Sequence, residues 1–269
     1  MKKVLLILIA IYLNLLSLDA VVVQGELTKV FNLAHGETAT EYINIHNPEN
    51  KQLQVKITQA DYLYNAADEN WYLEAGKFNR SNANWISVSQ NISLNVYESI
   101  SLPVHISIPN DNKLIGSYWS VIFIENSEPP STEHLEQQTE NILFAYRYAI
   151  QIVSNIKETG TIDIGFKNFA VGTINQTTQN IVYFDLKNNG TQWINASLKI
   201  DIFDNNTNFI GTFYANNQRV YPGLEKRISI PLIPLKSTDK GVPVTYYAIL
   251  VADCGNNKIF GHQFSFSIK

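Results

Sequence analysis

The sequence is poor in sulfur: its 269 residues include a single cysteine, Cys254, and a single methionine. One cysteine excludes a disulfide within the chain, so packing and hydrogen bonds must hold the fold together. Cys254 precedes Gly255-Asn256-Asn257, a sequence typical of a turn. We therefore interpret it as a small residue at the end of a strand.

The sequence also lacks the residue clusters on which catalysis and metal binding depend. Its five histidines are scattered, and it has no His-Glu-x-x-His pair, no Gly-x-Ser-x-Gly elbow and no glycine-rich phosphate loop. Asp204, Asn206 and Asn208 resemble the opening of a calcium loop, but Phe209 stands where the sharp turn requires glycine. A polar hairpin turn is the better interpretation. We expect a protein that is not an enzyme and holds no metal and no cofactor.

An excess of positive charge is missing as well. The chain has 20 Lys and Arg residues against 24 Asp and Glu residues, which gives a formal net charge of −4. Without a basic patch, neither nucleic acid nor an anionic membrane surface is an expected partner.

A long apolar run occurs at the N-terminus and is not repeated at the C-terminus. Lys2 and Lys3 precede an apolar stretch that reaches Leu18, which is the pattern of an export signal over residues 1–20. Ala20 suits the cleavage position, while retention of the segment as an N-terminal anchor is the alternative. No cysteine lies near residue 20, so a lipoprotein anchor is excluded. We expect an exported, periplasmic protein; the alternative is a secreted or cell-surface protein.

From residue 21 onward, short alternating or apolar runs are separated by turn signals, and no stretch has a convincing helical period. This pattern predicts an all-β protein with two immunoglobulin-like β-sandwich domains in tandem, residues 21–157 and 158–269. Asn47-Pro48-Glu49-Asn50 is the clearest turn, and we expect hairpin-type turns at 185–190 and 204–208. Strands are predicted near residues 26–33, 39–47, 52–64, 85–89, 99–108, 116–125, 142–154, 161–171, 181–188, 196–204, 209–215, 225–231, 244–252 and 258–268.

One predicted strand carries a row of bulky side chains beside a polar stretch. Residues 126–140 lack the apolar content to pack, so we expect a mobile loop there. In the strand that follows, alternation places five large side chains on one face: Ile142, Phe144, Tyr146, Tyr148 and Ile150. Such a ladder suits β-strand addition to another chain, because main-chain bonds give affinity and alternate side chains give selectivity. An ordinary central strand of a sandwich is the alternative.

The four tryptophans allow two interpretations. Trp71, Trp85, Trp119 and Trp193 could line a carbohydrate-binding face, but isolated tryptophans in a sandwich more often belong to the core.

Several segments together resemble the tandem immunoglobulin-like periplasmic chaperones of pilus assembly, and more closely their poorly characterised exported relatives. Thr28-Lys29-Val30-Phe31 is similar to the first-strand motif of that family, and Gly116-Ser117-Tyr118 with the apolar residues after it is similar to the penultimate strand. The loop 126–140 and the strand 142–153 fall where the family has its mobile loop and subunit-binding strand. The chain also resembles, in outline, two-domain surface proteins of Gram-positive bacteria that interact with cell-wall proteins.

The pilus-chaperone resemblance implies a non-enzymatic protein that binds another exported polypeptide through an edge strand, such as a fibre subunit or an envelope protein. It assigns the binding role to the five-residue ladder and to Lys29, a basic residue that would grip the terminal carboxylate of the subunit. The family's second basic residue falls on Gln151 here, so Lys29 would act as a single point charge. The alternative function is a surface or envelope adhesion module that binds a wall polymer or a host ligand.

Overall fold

The computed structural model describes residues 20–127, 146–173, 180–232, 235 and 243–268. Three predicted features lie outside these ranges: the predicted export signal up to residue 19, most of the predicted loop 126–140, and the ladder residues Ile142 and Phe144. In the described ranges, no helix has both the length and the apolar character needed to span a membrane.

The described residues form strands joined by turns and one short 3-10 helix, Ala83–Trp85. The first strands are β1 (Val22–Gln24), β2 (Thr28–Leu33), β3 (Thr38–His46), β4 (Leu53–Tyr64), β5 (Asn70–Glu74), β6 (Ile86–Ser87), β7 (Asn91–Leu94), β8 (Ser99–Ser107), β9 (Ser117–Asn126) and β10 (Arg147–Ile156). The later strands are β11 (Ile164–Thr173), β12 (Asn180–Asn188), β13 (Ile194–Phe203), β14 (Phe209–Val220), β15 (Glu225–Pro231), β16 (Val244–Asp253) and β17 (Ile259–Ile268).

The chain divides into two compact units. The first comprises Met1–Asp61, Leu73–Asn110 and Trp119–Val153, and the second comprises Tyr62–Tyr72, Asp111–Tyr118 and Ser154–Lys269. The predicted boundary after residue 157 stays a prediction.

The strands of the first unit lie in two sheets. One has the strand order β1-β3-β8-β6, and the other has the order β2-β10-β9-β4-β5, with β7 also pairing with β4. Alternate residues of β3, β4 and β8 point into the space between the sheets, which buries Ile43, Ile45, Val55, Ile57 and Val104. Residues 117–124 of β9 are all buried, as expected for a strand covered on both faces.

The second unit repeats this architecture with a three-stranded sheet, β11-β12-β15, and a four-stranded sheet, β14-β13-β16-β17. Its core is built from the inward-facing residues of the central strands, such as Phe184, Leu186, Leu198, Ile200 and Leu250. Each unit is therefore a β-sandwich held together by apolar burial between two sheets. The prediction of an all-β chain with two immunoglobulin-like sandwiches is confirmed.

Most predicted strands are present, and two turns show where sequence reasoning succeeded and failed. At Asp204–Asn208, the Asp204 N–H donates to the carbonyl of Asn208 at 2.9 Å and closes the β13–β14 hairpin. The hairpin expected at 185–190 is wrong. Residues up to Asn188 complete β12, which pairs with β11 and β15, and the chain then crosses to β13 in the other sheet.

Cys254 lies where the sequence placed it, between the end of β16 and a turn. Its N–H donates to the carbonyl of Lys258 at 2.9 Å. Burial, with a smaller contribution from Asp253, raises the pKa of the thiol to about 11. The thiol is therefore protonated at neutral pH and is a poor nucleophile.

Candidate functional site

Strand β10 contains Tyr148 and Ile150 of the predicted binding ladder. Along its described length, β10 is not an edge strand. It lies between β2 and β9, so the expectation of an edge strand is wrong for these residues. The Gln151 N–H donates to the carbonyl of Leu27 at 2.9 Å, next to β2. However, β2 has six residues and β10 has ten, so β2 cannot pair along the whole of β10.

The described ladder residues occupy two different environments. Tyr146 is 48% exposed and Tyr148 is half-buried, whereas Ile150 is 0% exposed. Ile152, the next residue on the same face, is also 0% exposed, so the side chain of Ile150 belongs to the core of the first unit. Alternation assigns these three residues to one face of the strand. That face passes from the surface at Tyr146 to the core at Ile150.

Tyr146 and Tyr148 line a cavity of about 620 Å³ in the first unit. Its other walls come from the start of β1, the turn after β3 and the turn before β8: Ala20, Val21, Val22, Pro48, Glu49, Asn50 and Tyr97. We call this cavity the tyrosine groove. Its nine lining residues include three tyrosines and one carboxylate, but no lysine, arginine or histidine.

A buried asparagine holds two walls of the tyrosine groove together. Asn47 is 0% exposed, and its side-chain amide donates to the carbonyls of Lys51 at 2.8 Å and Asn95 at 2.7 Å. Its Oδ1 accepts the N–H of Glu49 at 2.9 Å. Because a buried amide is costly to leave unpaired, these bonds fix the turn after β3 against the turn before β8. The turn Asn47–Asn50, which the sequence predicts, is therefore a fixed wall of the tyrosine groove.

Tyr97 is a groove residue that sequence reasoning missed. Its side chain is 61% exposed, and its backbone has φ +56°, a left-handed conformation that residues other than glycine rarely adopt. The Tyr97 N–H donates to the carbonyl of Glu49 at 3.3 Å, which joins it to the opposite wall.

Lys29 lies on β2, and its side chain is partly exposed. It forms no ion pair and no side-chain hydrogen bond with any other residue that the structure describes. Its neighbour Phe31 is 4% exposed and anchors β2 to the core. At the start of β10, Arg147 bonds Glu125 at 2.6 Å and lies 4.8 Å from the ring centre of Phe123, so its charge is already engaged with β9.

The tryptophans do not form one exposed face. Trp119 is 1% exposed and packs in the core beside Phe78, with ring centres 5.2 Å apart. Trp193 is partly buried and lies beneath the guanidinium of Arg219, 5.2 Å from the ring centre, while Trp71 is 42% exposed. Within the described part of the chain, no group of three or more His, Cys, Asp or Glu side chains is placed to hold a metal ion.

Comparison with known proteins gives no match by sequence: neither a family model nor a curated protein corresponds to this chain. Comparison of structures does give matches. A chain of the chaperone–tip adhesin complex of CFA/I fimbriae biogenesis is 12% identical, with a TM-score of 0.51 over 90% of this chain and 97% of the other. The fold is that of the pilus-assembly chaperones.

Two further structures show the range of the likeness. The class 5 fimbriae chaperone CfaA is 11% identical, with a TM-score of 0.49 over 90% of this chain and 98% of its own. The chaperone–tip adhesion subunit pre-assembly complex CsuC–CsuE of the archaic Csu pili of Acinetobacter baumannii contributes a chain that is 12% identical. Its TM-score is 0.42, over 82% of this chain and 92% of that chain. At these identities the likeness concerns the fold, and the function has to be argued from the site.

Proposed function

We propose that this chain is an exported, non-enzymatic protein that binds another exported polypeptide and acts as a chaperone-like factor in the assembly of a surface fibre or envelope protein. The observation that carries the proposal is that Tyr146, just before β10, and Tyr148, on β10, line an open groove. The fold shared with a chain of a chaperone–tip adhesin complex supports it.

Strand addition is the binding mode that fits this site. Because β2 is shorter than β10, some main-chain groups of β10 remain beyond the reach of β2. Those groups can pair with an added strand, while the groove beside Tyr146 and Tyr148 receives an alternate side chain of that strand. Tyrosine suits such a surface because it offers a large contact area and loses little conformational entropy on binding. Ile150 is not part of the proposed binding surface, because a fully buried side chain cannot contact a partner.

A complementation experiment tests the proposal. In cells that lack this protein, surface fibres should be lost, and re-expressing the wild type should restore them. Tyr146→Asp should accumulate as a folded protein without restoring the fibres, because a charge at a 48% exposed position is tolerated in the free chain but obstructs the groove.

The matched control is Tyr42→Asp, at a 53% exposed tyrosine of β3 that does not line the groove. This variant should restore the fibres fully. Full restoration by Tyr146→Asp would count against a binding role for the groove, and unchanged fibres in cells without the protein would count against the function itself.

We further propose that Lys29 binds the terminal carboxylate of the partner. It is a partly exposed cation without an ion-pair partner among the described residues, so a carboxylate could reach it. Lys29→Ala should weaken binding of a partner peptide that ends in a free carboxylate and leave the C-amidated peptide unaffected. The stability of the chain should hardly change, since an exposed lysine contributes about 0–1 kcal/mol to a fold. Equal affinity of the variant and the wild type for the free-acid peptide would remove Lys29 from the site.

The adhesion alternative has one observation in its favour. The outer face of the β14-β13-β16-β17 sheet carries exposed aromatic side chains: Phe209 is 59% exposed, Tyr214 is 70% exposed and Tyr247 is 49% exposed. Phe203 pairs with both Phe209 and Tyr247, so these rings share a face. Binding of the purified protein to isolated cell wall, abolished by Tyr214→Ala and retained by Tyr146→Asp, would favour adhesion over assembly.

A further inference from the structure

The turn that carries Tyr97 has a counterpart in the second unit. In the first unit, the Glu98 N–H donates to the carbonyl of Asn95 at 3.2 Å and closes a four-residue turn. The turn is tied to the end of β3, since the N–H of buried Asn47 donates to the carbonyl of Glu98 at 2.8 Å.

The second unit builds the same arrangement between β14 and β15, where the turn is tied to the end of β12. The Leu224 N–H donates to the carbonyl of Tyr221 at 3.0 Å, and the N–H of buried Asn188 donates to the carbonyl of Leu224 at 3.0 Å. Superposing these bonds places Gly223 at the position of Tyr97. Both residues have positive φ, +77° for Gly223 and +56° for Tyr97.

This comparison shows that the fold does not need a tyrosine at this turn. Glycine adopts positive φ without strain, whereas a residue with a β-carbon does so at a cost. Nor does the ring of Tyr97 contribute a core contact, because it is 61% exposed. A strained residue with an exposed aromatic ring on a groove wall indicates a role in binding.

The charges of the tyrosine groove indicate what it binds. Tyr97, Tyr146 and Tyr148 present electron-rich rings, and Glu49 adds a carboxylate, with no cationic side chain among the nine lining residues. Ring faces and carboxylates attract cations and disfavour anions. On the basis of the proposed polypeptide binding, we infer that the tyrosine groove receives a basic side chain, lysine or arginine, of the bound polypeptide, and that Tyr97 completes this subsite.

Tyr97→Gly is the discriminating variant, because it installs the residue that the second unit uses in the same turn. Its thermal stability should equal or exceed that of the wild type, while its affinity for a lysine-containing peptide should fall about two- to fivefold, the loss of one exposed cation–π contact. The matched control is Glu158→Gly, which relieves a positive φ of +57° at a residue that does not line the groove. It should leave the affinity unchanged.

The probes are three blocked six-residue peptides of alternating valine and threonine that carry lysine, leucine or glutamate at one central position. Binding is followed through the ring signals of Tyr97, Tyr146 and Tyr148 in protein with isotopically labelled tyrosine. We expect the lysine peptide to bind most tightly, the glutamate peptide most weakly, and Tyr97→Gly to reduce the preference for lysine over leucine.

Three results would overturn the inference. The leucine peptide could bind as tightly as the lysine peptide, or no peptide could bind at these rings. The ring signals could also depend on protein concentration alone, which would assign the groove to a second copy of the chain. Its failure can be told apart from failure of the proposed function. If Tyr146→Asp abolishes fibre assembly while the charge of the peptide makes no difference, polypeptide binding stands and the basic-side-chain subsite does not.

Discussion

Replacing Gly116 by alanine should disrupt a close backbone contact within the second unit. Gly116 has φ +72°, and a β-carbon placed on it would lie 1.9 Å from the carbonyl oxygen of Thr191. Real β-carbons essentially never approach another atom closer than 3.0 Å, and this neighbour is backbone, which cannot rotate away. The chain must therefore shift around residue 116. This contact explains physically why glycine opens the Gly116-Ser117-Tyr118 segment.

The size of the effect follows from the bonds around the glycine. Ser117 donates its N–H to the carbonyl of Thr191 at 2.8 Å, and Ile156 donates to the carbonyl of Gly116 at 2.9 Å. A shift that relieves the clash weakens both bonds, at about 1 kcal/mol each. Alanine at positive φ adds about 1–2 kcal/mol of backbone strain. We therefore expect Gly116→Ala to lower the free energy of unfolding of the second unit by about 3–4 kcal/mol.

Gly255→Ala is the matched control, because Gly255 has nearly the same φ, +75°, and no atom lies within 4 Å of its added β-carbon. It should show the strain alone, about 1–2 kcal/mol. Calorimetry, together with hydrogen exchange of the β12 and β13 amides, reports on the second unit without assuming that the whole chain unfolds in one step. Equal losses in the two variants would refute the argument from the close contact.

Substitutions at four further residues test other parts of the structure. Tyr148→Asp should give a folded protein and Ile150→Asp should not, because only the second variant places a carboxylate at a position without solvent contact. Limited proteolysis distinguishes a folded from an unfolded variant. If both variants are unfolded, Tyr148 belongs to the core as Ile150 does. Asp61 is 0% exposed and accepts three consecutive backbone N–H groups, so Asp61→Ala should cost about 3 kcal/mol in urea denaturation and Asp61→Asn less. The Arg227 guanidinium, at 2.8 Å, holds the pKa of the buried Asp185 carboxyl below its ordinary value. The pKa of Asp185 in the folded state lies below its value in the unfolded state, which is about 3.9. The stabilisation is therefore present above pH of about 3.9 and is lost as the pH falls through the folded-state pKa. Asp185→Asn should flatten the acid side of the profile of unfolding free energy against pH, and an unchanged profile would contradict the role of this ion pair.

The strands could be predicted well because strands such as β8, β13 and β15 bury one face and expose the other, which imposes a period of two on the sequence. The predicted strand 225–231 has the bounds of β15, Glu225–Pro231. The missed strands are β1, β5 and β7, with three, five and four residues, too short for alternation to be read. The end of β14 was missed because it is polar, as suits a strand at the edge of its sheet.

The tyrosine groove was only partly predictable, since its walls come from parts of the chain far apart in sequence. Alternation identified Tyr146 and Tyr148, and the turn signal identified Pro48, but nothing local indicates that Tyr97 has positive φ. The one available signal is a comparison between the two halves of the chain. Asn95-Val96-Tyr97-Glu98 occupies the turn that the second unit builds from Tyr221-Pro222-Gly223-Leu224, where a Pro-Gly pair is the expected sequence.

The position of β10 within its sheet could not be predicted, because strand order is set by pairing between distant segments and not by the composition of one strand. The ladder residues are as apolar as those of a strand that binds a partner at the edge of a sheet. Nevertheless, β2 lies at the edge of this sheet, beside part of β10. This placement changes how an added strand would meet the protein. An added strand would pair with main-chain groups of β10 that β2 does not reach, and the neighbouring strand β2 carries Lys29. The carboxylate contact proposed for Lys29 and the side-chain contact proposed for the groove would therefore lie on two strands of one sheet, and a single extended peptide could engage both.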